Sequence, residues 1–159
     1  MMYQSTKTYG NDVGLSCTFR QWRADSHCNK LHGYSLGFRF VFEAQKLDER
    51  NWVYDFGNCK WIKKFLEDNF DHKLAVADDD PELETFLSLP GSIAEVIIMR
   101  GVGCEMFANR VFSYVSPQVS EQTDFRVRLY SVEVFEHGAN SGIFINPVSV
   151  YPIEEYKYI

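Results

Sequence analysis

Residues 34–43 read YSLGFRFVFE. Tyr34, Leu36, Phe38, Phe40 and Phe42 alternate with Ser35, Gly37, Arg39, Val41 and Glu43. Side chains on a strand point to opposite faces in turn, so this spacing predicts a long strand with one strongly aromatic face. Such a face needs helices or a second sheet over it. Working outward from this strand places the rest of the chain.

Upstream lies FRQWRADSHCNKLHGY, residues 19–34. It carries His27, Cys28 and His32, with Gly33 next and the strand beginning at Tyr34. A thiol, an imidazole and a glycine at the start of a strand are the parts of an active-site loop. Thiolate is the reactive form of cysteine, and a nearby imidazole or metal favours it. A polar loop with incidental His and Cys is the competing reading. Before the loop, residues 3–9 and 13–19 read as extended segments around a turn at Gly10-Asn11-Asp12. In the second, Cys17 and Phe19 share a face.

Downstream, residues 44–51 form a charged turn and Trp52-Val53-Tyr54 reads as a short strand. A helix follows from about Cys59 to Asn69, capped by Asn58, with Cys59, Ile62 and Leu66 inward. Asp71-His72 comes directly after it. Residues 78–84 are acidic, and Ala94–Met99 reads as a short strand. A second helix runs from about Glu105 to Tyr114, capped at Gly103 or Cys104, with Pro117 just beyond its end. Phe125–Phe135 is the second long strand. Its apolar phase shifts between Leu129 and Val132, which predicts a bulge near Tyr130 or burial of both faces. A final strand runs from Gly142 to Tyr151, interrupted at Pro147. This order predicts an α+β fold, a single domain over residues 1–159, with helices on one sheet face. The uncovered face is expected to be aromatic and apolar, and therefore to be buried by assembly.

Composition sets the outer limits. Hydrophobic residues make up 45% of the 159, enough for a packed core, and thirteen Phe and nine Tyr suit broad apolar sheet faces. A net charge of −6 argues against a nucleic-acid-binding surface. No apolar run approaches the roughly 18 residues of a membrane span. MMYQSTKTYG lacks the apolar core of a signal peptide, so the expected compartment is the cytoplasm, with reduced cysteines. Cys17, Cys28, Cys59 and Cys104 show no Cys-x-x-Cys pairing of a zinc knuckle.

Three constellations carry possible chemistry. Cys28 with Asp71 and His72 would be a nucleophilic or proton-transfer set, the carboxylate orienting the imidazole and the imidazole activating the thiol. Asp71-His72 reads equally as a helix C-terminus with a histidine on the dipole. Glu136, at the end of a strand, could accept two parallel hydrogen bonds from an amidine-like ligand edge, or be an exposed strand-end residue. His27, His32 and Cys17 could supply ligands to a catalytic zinc, which needs three, or none at all.

Taken in order, these residues resemble the 6-pyruvoyl-tetrahydropterin synthase and 6-carboxy-tetrahydropterin synthase family. Its C-x-x-x-H-G-H is similar to C-N-K-L-H-G-Y, Cys28 to Tyr34. Its D-F segment resembles WVYDFGNCK, with Asp55 and Phe56, and its D-H element resembles FDHKL, with Asp71 and His72. Its C-terminal glutamate segment resembles EHGANSGIF from Glu136, and a helix-start glutamate matches Glu105. The resemblance implies the tunnelling fold: a four-stranded antiparallel sheet with two helices on one face. Three sheets close into a barrel, and two trimers stack as a hexamer. It implies Cys28 as catalytic thiol assisted by Asp71 and His72, with Glu136 and Glu105 at a reduced pterin. The implied reaction is a lyase step on dihydroneopterin triphosphate, which in the carboxy branch feeds queuosine synthesis.

The family's zinc is bound by a first-strand histidine and both histidines of H-G-H. Phe19 and Tyr34 stand at two of those positions, and only His32 remains. Three readings follow. Zinc is rebuilt from His32, Cys17 and His27; or a zinc-free pocket binds a pterin or purine-like ligand; or the chain is an oligomeric scaffold without catalysis.

Overall fold

The computed structural model describes residues 1–145. The aromatic strand is β3 (His32–Ala44), and the chain is built around it. Residues on either side form β1 (Tyr3–Tyr9), β2 (Leu15–Phe19), α1 (Lys60–Phe70), β4 (Lys73–Ala77) and α2 (Leu83–Leu87). Then follow β5 (Glu95–Met99), α3 (Cys104–Gln122), β6 (Arg128–His137) and β7 (Asn140–Ile145). The seven strands make one sheet in the order β5-β4-β2-β3-β6-β7. β1 pairs with the second half of β3, and β2 with its first half. The sheet is therefore larger than the four antiparallel strands implied by resemblance, and β4 runs parallel to both β2 and β5.

Leu36, Phe38, Phe40 and Phe42 are fully buried on the helix side. Phe38 meets Phe70 of α1 at 5.0 Å between ring centroids, and Phe70 meets Phe107 of α3 at 5.3 Å. Ile62 and Leu66 of α1 and Val111, Val115 and Val119 of α3 close the same core. Each such side chain contributes about 1.5–3 kcal/mol by leaving water. At the far end, Phe42 stacks on Tyr54 at 4.7 Å, and the Tyr9 hydroxyl donates to the Cys59 carbonyl at 3.0 Å.

Several expectations hold. The α1 helix lies within a residue of its expected bounds. Leu129 pairs with Phe42 and Ser131 with Val41, so Tyr130 is the bulged residue of β6. Gly103 is the α3 N-cap, with φ of 106°.

Others are corrected. The α3 helix passes straight through Pro117 and ends at Gln122. A proline inside a helix removes one backbone hydrogen bond. Pro117 faces solvent, while Val115 and Val119 on the opposite side are fully buried, and that burial carries the helix on. β4 has no counterpart in the sequence reading. Leu74 and Val76 pack with Phe86 of α2 on one face, and Ala75 joins the main core on the other. A strand buried on both faces shows no alternation to read. Trp52–Tyr54 is not a strand: the Asp48 carboxylate accepts from the backbone N–H of Arg50 (2.9 Å) and Trp52 (2.8 Å) and turns the chain. Of the final strand, Asn140–Ile145 is β7, and the rest of the expected stretch to Tyr151 lies outside the described residues.

The sheet face away from α1 and α3 is not the apolar surface expected. Across β1, β3, β6 and β7 it is mixed: Gln4, Thr6, Thr8, Ser35, Arg39, Glu43, Glu133 and Ser131 lie beside Val41, Phe135, Ile143 and Ile145. Glu43 is buried there, paired with Arg128 and accepting from Gln4 Nε2 at 3.0 Å. Replacing Phe40 with Ala removes a ring from the centre of the core. The expected loss is about 3–5 kcal/mol, measured by chemical denaturation, and a loss below 1 kcal/mol would show that the β3 face does not organise the fold.

Candidate functional site

The site forms where three segments converge: the loop before β3, the first turn of α3, and the end of β6. In the β6–β7 ladder Phe135 pairs with Ser141 and His137 with Asn140. Glu136 between them is a second bulge, released from the ladder. Asn11 Nδ2 donates to the Ser35 carbonyl at 2.5 Å and reaches the Glu136 carbonyl at 3.2 Å, while Ser35 Oγ donates to the Asn11 carbonyl at 2.5 Å. One turn residue thus ties the bulge to β3. On the other side, β7 presses on the α3 start. A Cβ at Gly142 would come within 2.7 Å of the Glu105 backbone nitrogen.

The loop is fastened from both sides. The Gln21 backbone N–H donates to the Cys28 carbonyl at 2.9 Å, and the Gln21 side chain lies over Gly103, where a Cβ would approach its amide within 2.7 Å. Arg20 grips both carboxylate oxygens of buried Asp80, with Nε at 2.8 Å, and Nη1 reaches the Asn29 carbonyl at 3.5 Å. Trp22 Nε1 donates to Asp79 at 3.1 Å, and Arg23 pairs with the same carboxylate. The acidic run after β4 is therefore the clasp of the Cys28 loop. Cys28 itself is half-buried in a short 3₁₀ turn, residues 27–29, with its N–H donating to Ser26 Oγ at 3.3 Å.

Tyr34 is at the centre. Burial raises its phenol above the ordinary value, and the nearby ionisable groups Glu136, Cys28 and Cys104 add to the shift. The hydroxyl stays protonated and is available as a donor. Cys104, in the first turn of α3, is pushed up to about 12, first by burial and then by Glu136 and Glu105. It remains a thiol despite the helix N-terminus. Glu105 is exposed beside it, and His137 lies 6.0 Å from the Tyr34 ring.

Asp71 and His72 make a dyad, with His72 Nδ1 2.7 Å from Asp71 Oδ1. It sits at the start of β4, held by the His72 N–H donating to the Ser16 carbonyl at 2.7 Å, and the imidazole is 83% exposed. Among the described residues no hydrogen bond or ion pair joins this dyad to Cys28 within the chain. The residue types of the dyad were legible in the sequence; its lack of a bond to the thiol was not. Asn11, Gln21 and the Arg20–Asp80 pair were missed, because long-range contacts of turn residues leave no local pattern. Cys104 was noted only as a possible cap.

The donor set does not fit a zinc ion. Register pairs Phe19 with His32 and Cys17 with Tyr34. The Phe19 ring rests against the His32 imidazole at 4.8 Å, in the place a ligand would need. His32 Nδ1 lies 2.7 Å from the Lys30 carbonyl and leaves only Nε2. Cys17 is fully buried, with its thiol pushed up to about 12 by desolvation. His27 is exposed on the 3₁₀ turn. The expected set of His32, Cys17 and His27 is thus not brought together. Among the described residues no three His, Cys, Asp or Glu side chains form a metal-holding group. No helix is long and apolar enough to cross a membrane.

A family model described as 6-pyruvoyl tetrahydropterin synthase matches residues 11–147. A 6-carboxy-5,6,7,8-tetrahydropterin synthase from Rickettsia felis is 39% identical over 57 residues, 35% of this chain and 41% of that protein. That match spans about two fifths of the relative's length. One of the same name from Rickettsia bellii is 26% identical over 110 residues, 69% of this chain and 78% of that protein. Among solved structures, an uncharacterized protein from Wolinella succinogenes superposes with a TM-score of 0.76 at 20% identity, covering 92% of this chain and 99% of that one. The 6-pyruvoyl tetrahydropterin synthase of Plasmodium falciparum gives 0.64 at 11% identity, over 91% and 98%. These likenesses share the fold.

Two measurements test the site's construction. Asp80 is held below the usual carboxylate range, chiefly by the Arg20 hydrogen bonds. A lowered folded value contributes stability above the unfolded value of about 3.9 and loses it as pH falls through the folded one. Asp80→Asn should therefore lower stability at neutral pH and flatten its acid limb, read by denaturation at both pH values; an unchanged acid limb would contradict the clasp. Phe19→His with Tyr34→His should create zinc binding of about one ion per chain by elemental analysis, with wild type at background. Equal zinc in wild type would show that other residues hold it.

Proposed function

The chain belongs to the 6-pyruvoyl tetrahydropterin synthase family, and from that premise we propose that it binds a reduced pterin and acts on its side chain. The substrate is dihydroneopterin triphosphate or a related reduced pterin, and the reaction is a lyase step of the 6-carboxy-tetrahydropterin synthase type. The observation that carries this reading is the release of Glu136 by the β6 bulge beside a protonated Tyr34. A bulge re-aims the side chain of its extra residue, and a carboxylate so placed can accept two parallel charge-assisted hydrogen bonds from the N–H and amino edge of a pterin ring. Tyr34 donates from the side, and Glu105 stands at the helix start.

Cys28 is the group placed for proton transfer at the substrate side chain. Its partners in that role, Asp71 and His72, would come from a neighbouring copy, since the dyad and the thiol are not bonded within one chain. β1 and β7 each have one paired edge in the described sheet, which leaves two edges for such an assembly, a trimer or a dimer of trimers. A second reading, pterin binding without turnover, is favoured by the Phe19 ring against His32. A family member that lacks the metal ligands keeps the recognition groups and loses the means of polarising a carbonyl.

Binding and turnover separate these readings. Glu136→Gln keeps the shape and removes the charge; it should weaken binding of a reduced pterin by about ten- to a hundredfold in calorimetric titration. Cys28→Ala should leave binding intact and lower the rate by about 10²–10⁴. Unchanged affinity in Glu136→Gln would end the pterin assignment. Wild-type binding without product would select the second reading.

A further inference from the structure

A groove of about 460 Å³ lies on the outer side of the helix layer, away from Glu136, Tyr34 and Cys28. It is bounded by Phe65 of α1, the end of β5, and Asn109, Arg110, Ser113 and Tyr114 of α3, with Arg100 at its rim. Its size falls within the roughly 300–1,000 Å³ of small-molecule sites. Two features set it apart from an ordinary surface furrow.

The first is charge. Arg110 is aimed by a buried neutral amide: Nε (3.2 Å) and Nη2 (2.8 Å) both donate to Asn69 Oδ1. Asn69 is fixed in turn by its Nδ2 donating to the Phe65 carbonyl at 2.9 Å. An amide orients a guanidinium without neutralising it, whereas a carboxylate, as at Arg20, consumes the charge. Arg100 is exposed, and among the described residues neither arginine has an acidic partner. In a chain of net charge −6, two uncompensated arginines on one groove mark an anion site. Arginine suits phosphate because its planar fork matches the oxygens.

The second is a ring surface. Phe65 covers one face of Tyr114, with centroids 3.8 Å apart and planes 7° from parallel. Tyr114 remains 44% exposed, so it still offers ring surface to the groove. Ser113 Oγ donates to Asn109 Oδ1 at 3.2 Å, which leaves the Asn109 amide N–H groups to the groove. We propose that the Arg100–Arg110–Tyr114 groove binds a phosphate monoester carrying a planar ring, a nucleotide in chemical class, at a site separate from the pterin pocket.

Calorimetric titration of the full chain with adenosine monophosphate, adenosine and inorganic phosphate tests this. Adenosine monophosphate should bind more tightly than either fragment, and more weakly as salt rises. Arg110→Met should weaken it at least about tenfold, Arg110→Lys less, and Tyr114→Ala should narrow the gap to inorganic phosphate. If Arg110→Met does not fold by circular dichroism, Arg100→Met with Asn69→Ala replaces it and should show the same loss. Pterin binding should be unchanged in every folded variant, so failure here is distinguishable from failure of the proposed function. Absence of adenosine monophosphate binding at millimolar concentration, or equal binding by the arginine variants, would overturn the assignment.

Discussion

Burial of Leu36, Phe38, Phe40 and Phe42 on one side of β3 is the constraint from which the rest of the structure is placed. Four consecutive inward side chains fix the strand's phase. A one-residue slip would put Arg39, Val41 and Glu43 into the core and the phenyl rings into water. With the phase fixed, β1 and β2 share one edge of β3 and β6 takes the other. The helices α1 and α3 must then lie over the aromatic side, which brings the α3 N-terminus to the ends of β3 and β6. The site is where it is because that helix start, the loop feeding β3 and the last residues of β6 have no other place to go.

Two bulges on β6 do different work. At Tyr130 the extra residue resets the strand's phase, so that Leu129 on one side and Val132 and Val134 on the other both face the core. At Glu136 the extra residue leaves the backbone out of register with β7, and Asn11 donates to its carbonyl. The Glu136 carboxylate is felt by its neighbours: after burial, it is the next cause of the upward shift of the Tyr34 phenol and the Cys104 thiol.

What could be read from sequence follows from where periodicity is expressed. β3, α1 and the Tyr130 bulge each bury one side and expose the other, and their patterns were legible. β4 buries both sides, so KLAVA carried no phase, and the sheet was undercounted. Pro117 read as a stop because local rules price one lost hydrogen bond, while the burial of Val115 and Val119 that outweighs it depends on a distant strand. The outer sheet face was expected to be apolar throughout because the alternation at Tyr34–Glu43 was read for its aromatic half alone, and it is mixed. Of the candidate site, Cys28, Glu136 and the Asp71–His72 dyad were visible as residue types. Their fastenings, Asn11, Gln21 and Arg20–Asp80, were not, since each joins residues far apart in the chain.

The Phe19–His32 contact has a consequence for how recognition and chemistry are divided here. Cross-strand register forces positions 19, 32 and 34 together whatever residues occupy them. With Phe at 19 the imidazole gains a ring neighbour in place of a shared ion, and with Tyr at 34 the pocket gains a hydroxyl donor whose proton burial retains. Both changes make the floor of the site more apolar and leave its rim, Glu136 and Cys28, intact. A low-dielectric floor strengthens the hydrogen bonds made at the rim. On the proposed reading, a ring neighbour at position 19 and a hydroxyl at position 34 would favour holding a flat, polar-edged ring through the rim residues Glu136 and Cys28.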